Sequence, residues 1–395
     1  MASILGEAPP PARAGAAAML GAMTAPETTP RTTPALDLAA DPAELTAALI
    51  DIGSVSGAEG PIADAVEAAL RGLPHLSVHR DGDAVVARTD LGRAERVVLA
   101  GHLDTVPLPA VPGARGTVPS AWEDAGGRRV LYGRGAVDMK GGVAVQLALA
   151  AALTAPNRDV SYVFYDHEEV DAASSGLGRL QRNAPELLAA DFAVLLEPTD
   201  GTVEGGCNGT MRFRITTTGR AAHSGRSWIG ENAIHKQADV LARLAAYEPR
   251  TVAVEGLEYR EGLNAIRITG GVAGNVIPDA ASVEVNFRFA PDRSTDDALA
   301  HVREVFAGYE LEITDLSPAA RPGLDRPAAA AFVAAVGQEP KPKYGWTDVA
   351  RFSQMGVPAV NFGPGDALLA HTDDEHVPAE AVRECYRALE AWLTA

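Results

Sequence analysis

Four short apolar runs in this chain each lead to side chains that bind cations or carry protons. Residues 97–100 run into Gly101-His102-Leu103-Asp104, and 160–165 run into Asp166-His167-Glu168-Glu169. Residues 192–196 end on Glu197-Pro198-Thr199, and 358–362 lead through Gly363-Pro364-Gly365 to His371. A fifth segment, Tyr132-Gly133-Arg134-Gly135-Ala136-Val137-Asp138-Met139-Lys140-Gly141-Gly142, sets one aspartate in a glycine-rich turn. With only Cys207 and Cys385 in the chain, a cysteine-based zinc site is excluded, so a metal would be held by His, Asp and Glu. Asp138 has two carboxylate oxygens on a tight turn, which suits a bridge between two ions. Adjacent carboxylates such as Glu168 and Glu169 repel unless cations offset them. Asp104 follows His102 by two residues, so on extended backbone both face one side and the carboxylate can orient the imidazole. A single His or Glu at a strand end is more often solvated than ligating. Four such ends from distant parts of the chain point to one shared site, whose residue types suit cation binding and proton transfer.

The elements that must position these residues alternate in type. The 42–72 stretch has helical periodicity, through Leu45, Ala48, Leu49 and Ile52 and then Ile62, Val66 and Leu70. Residues 142–154 are apolar nearly all round, which predicts a buried helix. Strand-length runs at 84–87, 97–100, 160–165, 192–196 and 358–362 complete an α/β sheet covered on both faces. In such sheets ligands bind outside the carboxyl ends of the strands, where the candidate residues fall. The middle of the chain differs, because 211–218 and 282–289 alternate apolar with polar residues. With helices at 232–247 and 295–306 and a last strand at 309–314, it reads strand, helix, strand, strand, helix, strand. That is the split pattern of a ferredoxin-like domain. The expected organisation is a flexible Ala/Pro/Thr-rich tail at 1–34, a catalytic domain from 35–208 and 321–395, and an inserted domain at 209–320. Met23 is an alternative start within the tail.

Lys and Arg number 34 against 52 Asp and Glu, a net charge of −18. A nucleic-acid or anionic-membrane partner needs clustered positive charge, so neither is expected. The acidic balance favours a soluble cytoplasmic protein, and no run approaches the ~18 apolar residues of a membrane span, so none is expected. A serine hydrolase would need a Gly-x-Ser-x-Gly elbow, which is missing. The Gly133-x-Gly135 pair lacks the third glycine of a dinucleotide fingerprint, since position 138 is Asp.

Gly101-His102-Leu103-Asp104-Thr105-Val106-Pro107, Gly133-Arg134-Gly135 with Asp138-Met139-Lys140-Gly141-Gly142, Glu168-Glu169, Glu197-Pro198 and His371 together resemble the M20 family of dinuclear zinc peptidases and deacylases. The motifs occur in the family's order and span essentially the whole chain beyond residue ~35. The resemblance implies a zinc-peptidase-like catalytic α/β domain with an inserted ferredoxin-like dimerisation domain. It implies two Zn2+ per subunit, with Co2+ as a substitute. One ion would take His102, Asp138 and Glu197, and the other Asp138, Glu169 and His371. Glu168 would be general base and then general acid, and Asp104 would orient His102. A cis peptide would follow Asp138, while His167 and His376 would keep local hydrogen-bonding roles.

Gly219-Arg220-Ala221-Ala222-His223-Ser224 resembles the family segment whose histidine reaches the partner subunit's active site. His223 is thereby the candidate for stabilising the oxyanion, in a homodimer formed through the inserted domain. Asn275-Val276-Ile277-Pro278 and Arg288 resemble substrate-contacting positions. Trp346-Thr347-Asp348-Val349-Ala350-Arg351-Phe352 is most similar to the actinobacterial desuccinylase branch. That branch implies hydrolysis of N-succinyl-LL-2,6-diaminopimelate to succinate and LL-2,6-diaminopimelate, in lysine biosynthesis. Asn275, Arg288, Thr347 and Arg351 are the candidate substrate contacts, because a guanidinium binds carboxylate bidentately. The chain departs from better-known desuccinylases at Asn208-Gly209-Thr210, where those have a basic pair ahead of Gly-Ser. An acetylornithine-type deacetylase or an M20 dipeptidase is therefore the alternative. A non-catalytic binding protein of the same fold is the remote one, since it would have lost Glu168 or a ligand.

Overall fold

A computed structural model describes residues 34–395, so the expectation of a flexible tail falls almost wholly outside the described residues. The largest sheet has eight strands. From one edge they run Ser77–Asp81, Ala84–Arg88, Asp159–Tyr165, Arg96–His102, Phe192–Leu195, Ala359–Asn361, Glu204–Gly205 and Lys341–Pro342. The four central strands, Asp159–Tyr165 through Ala359–Asn361, pair in parallel. They are the same apolar runs that end on candidate ligands. Parallel pairing puts all four carboxyl ends along one edge, which is how the distant motifs converge.

Both faces of these strands are covered, as near-continuous apolar runs require. Val97, Leu99, Val160, Tyr162, Phe164 and Val194 pack on one side. Val98, Ala100, Val163, Tyr165 and Leu195 pack on the other. Burying each such valine or leucine contributes about 1.5–3 kcal/mol. The Lys140–Ala152 helix is buried through its first eleven residues, which explains its all-round apolar sequence. It starts one residue after the Asp138 turn, and Gly142 lets it approach the backbone of Leu196. A Cβ at Gly142 would collide with the Leu196 carbonyl oxygen.

The 42–72 periodicity resolves into two helices, Pro42–Ile50 and Gly60–Arg71. Gly53, Ser54, Ser56 and Gly57 break it, and the break is used. Ser54 Oγ donates to the Leu103 carbonyl at 2.7 Å, and Val55 bridges to Thr105, pinning the segment after His102.

A second sheet has four antiparallel strands in the order Gly262–Gly270, Ala280–Phe289, Gly209–Thr218 and Glu312–Ser317. In chain order this is strand, helix, strand, strand, helix, strand, with spatial order 2-3-1-4, the ferredoxin-like arrangement. The hairpin of Thr251–Val254 with Leu257–Arg260, before the second strand, is an addition the sequence pattern did not reveal. The first helical stretch comes in two pieces, Ala233–Lys236 and Ala238–Ala245. The last strand lies three residues later than expected, because the chain first turns through Gly308 at φ 95°. Met211, Phe213, Ile215, Val283, Val285 and Phe287 face the helices. The other face of this sheet carries Thr210, Arg212, Asn286 and Arg288.

Candidate active site

Asp138 is the hub. Its Oδ1 lies 3.0 Å from His102 Nε2, and its Oδ2 lies 3.2 Å from His371 Nε2. His371 Nε2 is also 3.0 Å from Glu169 Oε1. One donor atom each from His102, Asp138 and Glu197 fall within 4.8 Å of one another, and so do those of Asp138, Glu169 and His371. The two trios share Asp138 and use its opposite oxygens. Neutral imidazole nitrogens and carboxylate oxygens are a zinc donor set, so the residues fit a pair of such ions. A third trio, His102, Glu168 and Glu169, meets the same distance limit and puts Glu168 beside the centre.

Local structure fixes each member. His102 ends its strand, and its Nδ1 sits 3.0 Å from the Asp104 backbone carbonyl, which turns Nε2 toward Asp138. The Asp104 side chain serves chiefly another purpose. Its carboxylate accepts from the backbone N–H of Glu168 at 3.0 Å and of Glu169 at 3.1 Å, and from Ser56 Oγ at 2.7 Å. Its Oδ1 stands 3.6 Å from His102 Nδ1, so it also faces the imidazole. Asp104 thus ties the first motif to the Glu168–Glu169 turn. His167, just before that pair, has φ 58°, and its Nδ1 lies 2.8 Å from Asp166 Oδ2. His371 also has positive φ, at 64°. Non-glycine residues in this region are uncommon and cluster at functional sites. The Asp138–Met139 peptide is cis. His376 lies against Tyr132 with ring centroids 4.6 Å apart.

The charges are unbalanced. Burial pushes the Glu168 carboxyl well above its usual range; His102 pulls it down, while Glu197, Asp348 and Glu169 push it further up. Burial, then Asp138, pushes Glu197 up to about 8. Burial also opposes ionisation of Asp138, but hydrogen bonds from His102 and His371 outweigh it and hold that carboxyl well below its ordinary value. Hydrogen bonds to Asp138 and Glu169 raise His371 to about 10. Burial lowers His102, yet its bond to Asp138 leaves it well above normal. Burial and neighbouring carboxylates thus oppose ionisation of Glu168 and Glu197, and added positive charge at the centre would favour it.

Two cavities meet here. One, of about 290 Å³, has Glu168, Trp346 and Arg351 on one side and Thr210, Arg212 and Arg288 on the other. The second, of about 610 Å³, is lined by Asp138, Glu197, His371, Lys343 and Thr347. Glu168 and Glu169 line both. Of the candidate substrate contacts, Arg288 and Arg351 reach the first cavity and Thr347 the second. His223 and Asn275 line neither. His223 is exposed, and its Nδ1 accepts from the Gly225 N–H at 3.0 Å. The Asn275 carbonyl accepts from the Ser224 N–H at 2.9 Å, so the two share one outlying loop pair.

Sequence reasoning missed Glu375. It is buried, and its Oε1 accepts from the backbone N–H of Val137 and Asp138 at 3.2 and 3.3 Å while Oε2 pairs with Arg134 at 2.8 Å. It holds the Asp138 turn from the segment that carries His371. Lys343 was also missed; it is paired with Glu204 at 2.9 Å. Neither follows a motif or a periodicity that would have flagged it.

The profile described as Peptidase family M20/M25/M40 matches residues 98–395. The chain belongs to the M20 family. A Mycobacterium tuberculosis protein named DapE, a provisional succinyl-diaminopimelate desuccinylase, is 55% identical over 361 residues, covering 91% of this chain and 99% of its own. The succinyl-diaminopimelate desuccinylase of Corynebacterium glutamicum is 45% identical over 370 residues, covering 91% and 98%. Among solved structures, a tripeptidase from Staphylococcus aureus superposes with TM-score 0.72 at 20% identity, covering 89% of this M20 chain and 97% of its own. That likeness shows the shared fold. No helix among the described residues is long and apolar enough to cross a membrane.

Proposed function

We propose that this M20 chain hydrolyses the amide of N-succinyl-LL-2,6-diaminopimelate, releasing succinate and LL-2,6-diaminopimelate. The observation that carries the reading is the pair of donor trios sharing Asp138, with Glu168 beside them. The names of its actinobacterial relatives support the substrate. In this reading His102, Asp138 and Glu197 hold one zinc, and Asp138, Glu169 and His371 the other. Residues 35–208 and 321–395 form the catalytic domain, and the enzyme works in the cytoplasm.

When bound, the ion pair supplies an acidified water and polarises the acyl carbonyl. Glu168 takes the proton as water adds to the amide carbon. As the C–N bond breaks, Glu168 gives that proton to the departing nitrogen, so the leaving group is a neutral amine. Asp104 holds the backbone of Glu168 and Glu169 in the register this shuttle needs. Glu169 is kept as a ligand, so the adjacent carboxylates have separate tasks.

The inserted domain, 209–320, completes the site in a homodimer. Its edge strand, Gly262–Gly270, exposes Ile266 and Ile268, and Trp228 lies 77% exposed near His223. A second copy covering this surface would give His223 a route to the partner's oxyanion. His223→Ala is expected to lower kcat about 10²-fold with metal content unchanged; an unchanged rate would make the residue a bystander. Arg288→Ala is expected to raise KM for the succinylated substrate about tenfold or more, and steady-state kinetics showing no rise would remove it from binding.

The reading is tested by assaying the zinc-loaded chain side by side on N-succinyl-LL-2,6-diaminopimelate and N-acetylornithine. Preference for the first supports it, and preference for the second replaces it with the deacetylase alternative.

A further inference from the structure

The polar face of the four-stranded sheet forms one wall of the smaller cavity. Arg288 and Arg212 stand there on neighbouring strands. Arg288 is opposite Thr210 and Arg212 is opposite Asn286, which makes the two guanidinium-bearing residues diagonal neighbours. Arg288 donates from Nε to Asn286 Oδ1 at 3.1 Å, and among the described residues no carboxylate lies within ion-pair distance of it. Burial, and then the charge of Arg212, weaken its hold on its proton. Arg212 is half-exposed and donates from Nε and Nη2 to one oxygen of Asp315, at 3.2 and 3.1 Å. A carboxylate is therefore already received by Arg212 at the wall of this cavity, with Asp315 supplying it from the chain.

Arg351, the other arginine lining the cavity, is differently placed. It is 14% exposed, its Nε binds fully buried Asp348 at 2.5 Å, and its Nη2 donates to the Ala172 carbonyl at 3.3 Å. Its charge is committed to Asp348, which would otherwise be buried and unpaired.

We propose that Arg212, together with Arg288, forms the clamp for a substrate carboxylate remote from the scissile amide. Asp315 occupies the Arg212 guanidinium until that carboxylate arrives to compete for it. Arg351 serves as the partner of Asp348. This rests on the reading of the chain as an N-acyl-amino-acid amidohydrolase. A carboxylate bridging the two guanidinium groups relieves their mutual repulsion, so recognition favours substrates with a second anionic group over neutral ones.

The remote carboxylate belongs either to the succinyl arm or to the far end of the diaminopimelate arm. Three substrates separate these: N-succinyl-LL-diaminopimelate, N-acetyl-LL-diaminopimelate without the acyl carboxylate, and N-succinyl-L-lysine without the distal one. On the metal-loaded full chain, Arg212→Ala is expected to lower kcat/KM for the first substrate about tenfold, through KM. The loss should vanish on whichever truncated substrate lacks the clamped group, and Arg212→Lys should recover part of it. Asp315→Ala is expected to leave that KM unchanged or lower it. Equal effects of Arg212→Ala on all three substrates, or an Asp315→Ala variant that copies Arg212→Ala, would overturn the clamp in favour of a structural ion pair. Calorimetry with succinate and with LL-diaminopimelate probes the clamp without turnover. One of these products should bind about tenfold more weakly to Arg212→Ala, and equal binding of both would overturn the proposal. A parent chain that binds both but hydrolyses none of the three substrates counts against the amidohydrolase reading instead.

Discussion

Glu168→Ala is expected to bind as much metal as the parent chain and to lose kcat by a factor of about 10²–10⁴. The reason is positional. Glu168 belongs to neither trio that contains Asp138, yet it is half-buried beside them and lines both cavities. Burial and its carboxylate neighbours favour its protonated form, while a nearby positive charge draws it back toward ionisation. A carboxyl placed at the reacting centre without being one of the shared ligands can accept a proton and return it within one cycle. Glu168→Gln keeps the shape and the hydrogen-bonding capacity but cannot cycle a proton, so it should be nearly as slow. Elemental analysis and steady-state kinetics on both variants check this, and near-normal turnover in either would remove Glu168 from the chemistry.

Metal binding to the chelator-stripped chain is expected to release roughly three protons at pH 7 and to tighten steeply as pH rises. His102, His371 and Glu197 must lose their protons to become ligands. Asp138 with Glu169 raises His371 to about 10, and burial with Asp138 raises Glu197 to about 8. The same shifts set the stability of the metal-free form. For His371 the folded value exceeds the ordinary 6.5, so its stabilisation is complete below about 6.5 and is lost as pH rises through about 10. For Glu197 the corresponding loss runs from 4.5 up through about 8. Asp138 has the opposite sign, with stability present above its ordinary 3.8 and lost only as pH falls through its depressed value. Between pH 6 and 9 the stripped chain should lose Tm relative to the metal-loaded chain, so the gap between them widens. Calorimetry in buffers of different ionisation enthalpy counts the protons, and thermal melts follow the gap. Binding without proton release would mean these groups are not the ligands.

The parts of this centre that were legible in the sequence share a physical reason. Strand-length apolar runs ending on His102, Glu168-Glu169 and Glu197 declare both the sheet and its carboxyl edge, because parallel strands buried on both faces leave no polar residue until they end. Asp138 was legible because a glycine-rich turn before an all-apolar helix leaves one charged side chain to explain. The alternation at 211–218 and 282–289 likewise revealed the second sheet and its polar face. Arg212 was within reach by the same alternation, since it shares a face with Thr210, but its partner Asp315 sits on a strand whose start the sequence placed three residues early. Glu375 could not be read, because its role is to accept from the backbone of Val137 and Asp138, far away along the chain and without side-chain pattern. The backbone carbonyl of Asp104, which orients His102, was hidden for the same reason. The 251–260 hairpin was missed because two four-residue strands carry too little periodicity to separate from a loop.

Zinc titrated into the chelator-stripped full chain, with hydrolysis of N-succinyl-LL-2,6-diaminopimelate as the readout, tests the centre most directly. Activity should be absent at the start and should stop rising at two equivalents per chain, the number that two donor sets sharing Asp138 can hold. Turnover in the stripped chain, or a fully loaded chain that leaves the amide intact, would contradict it.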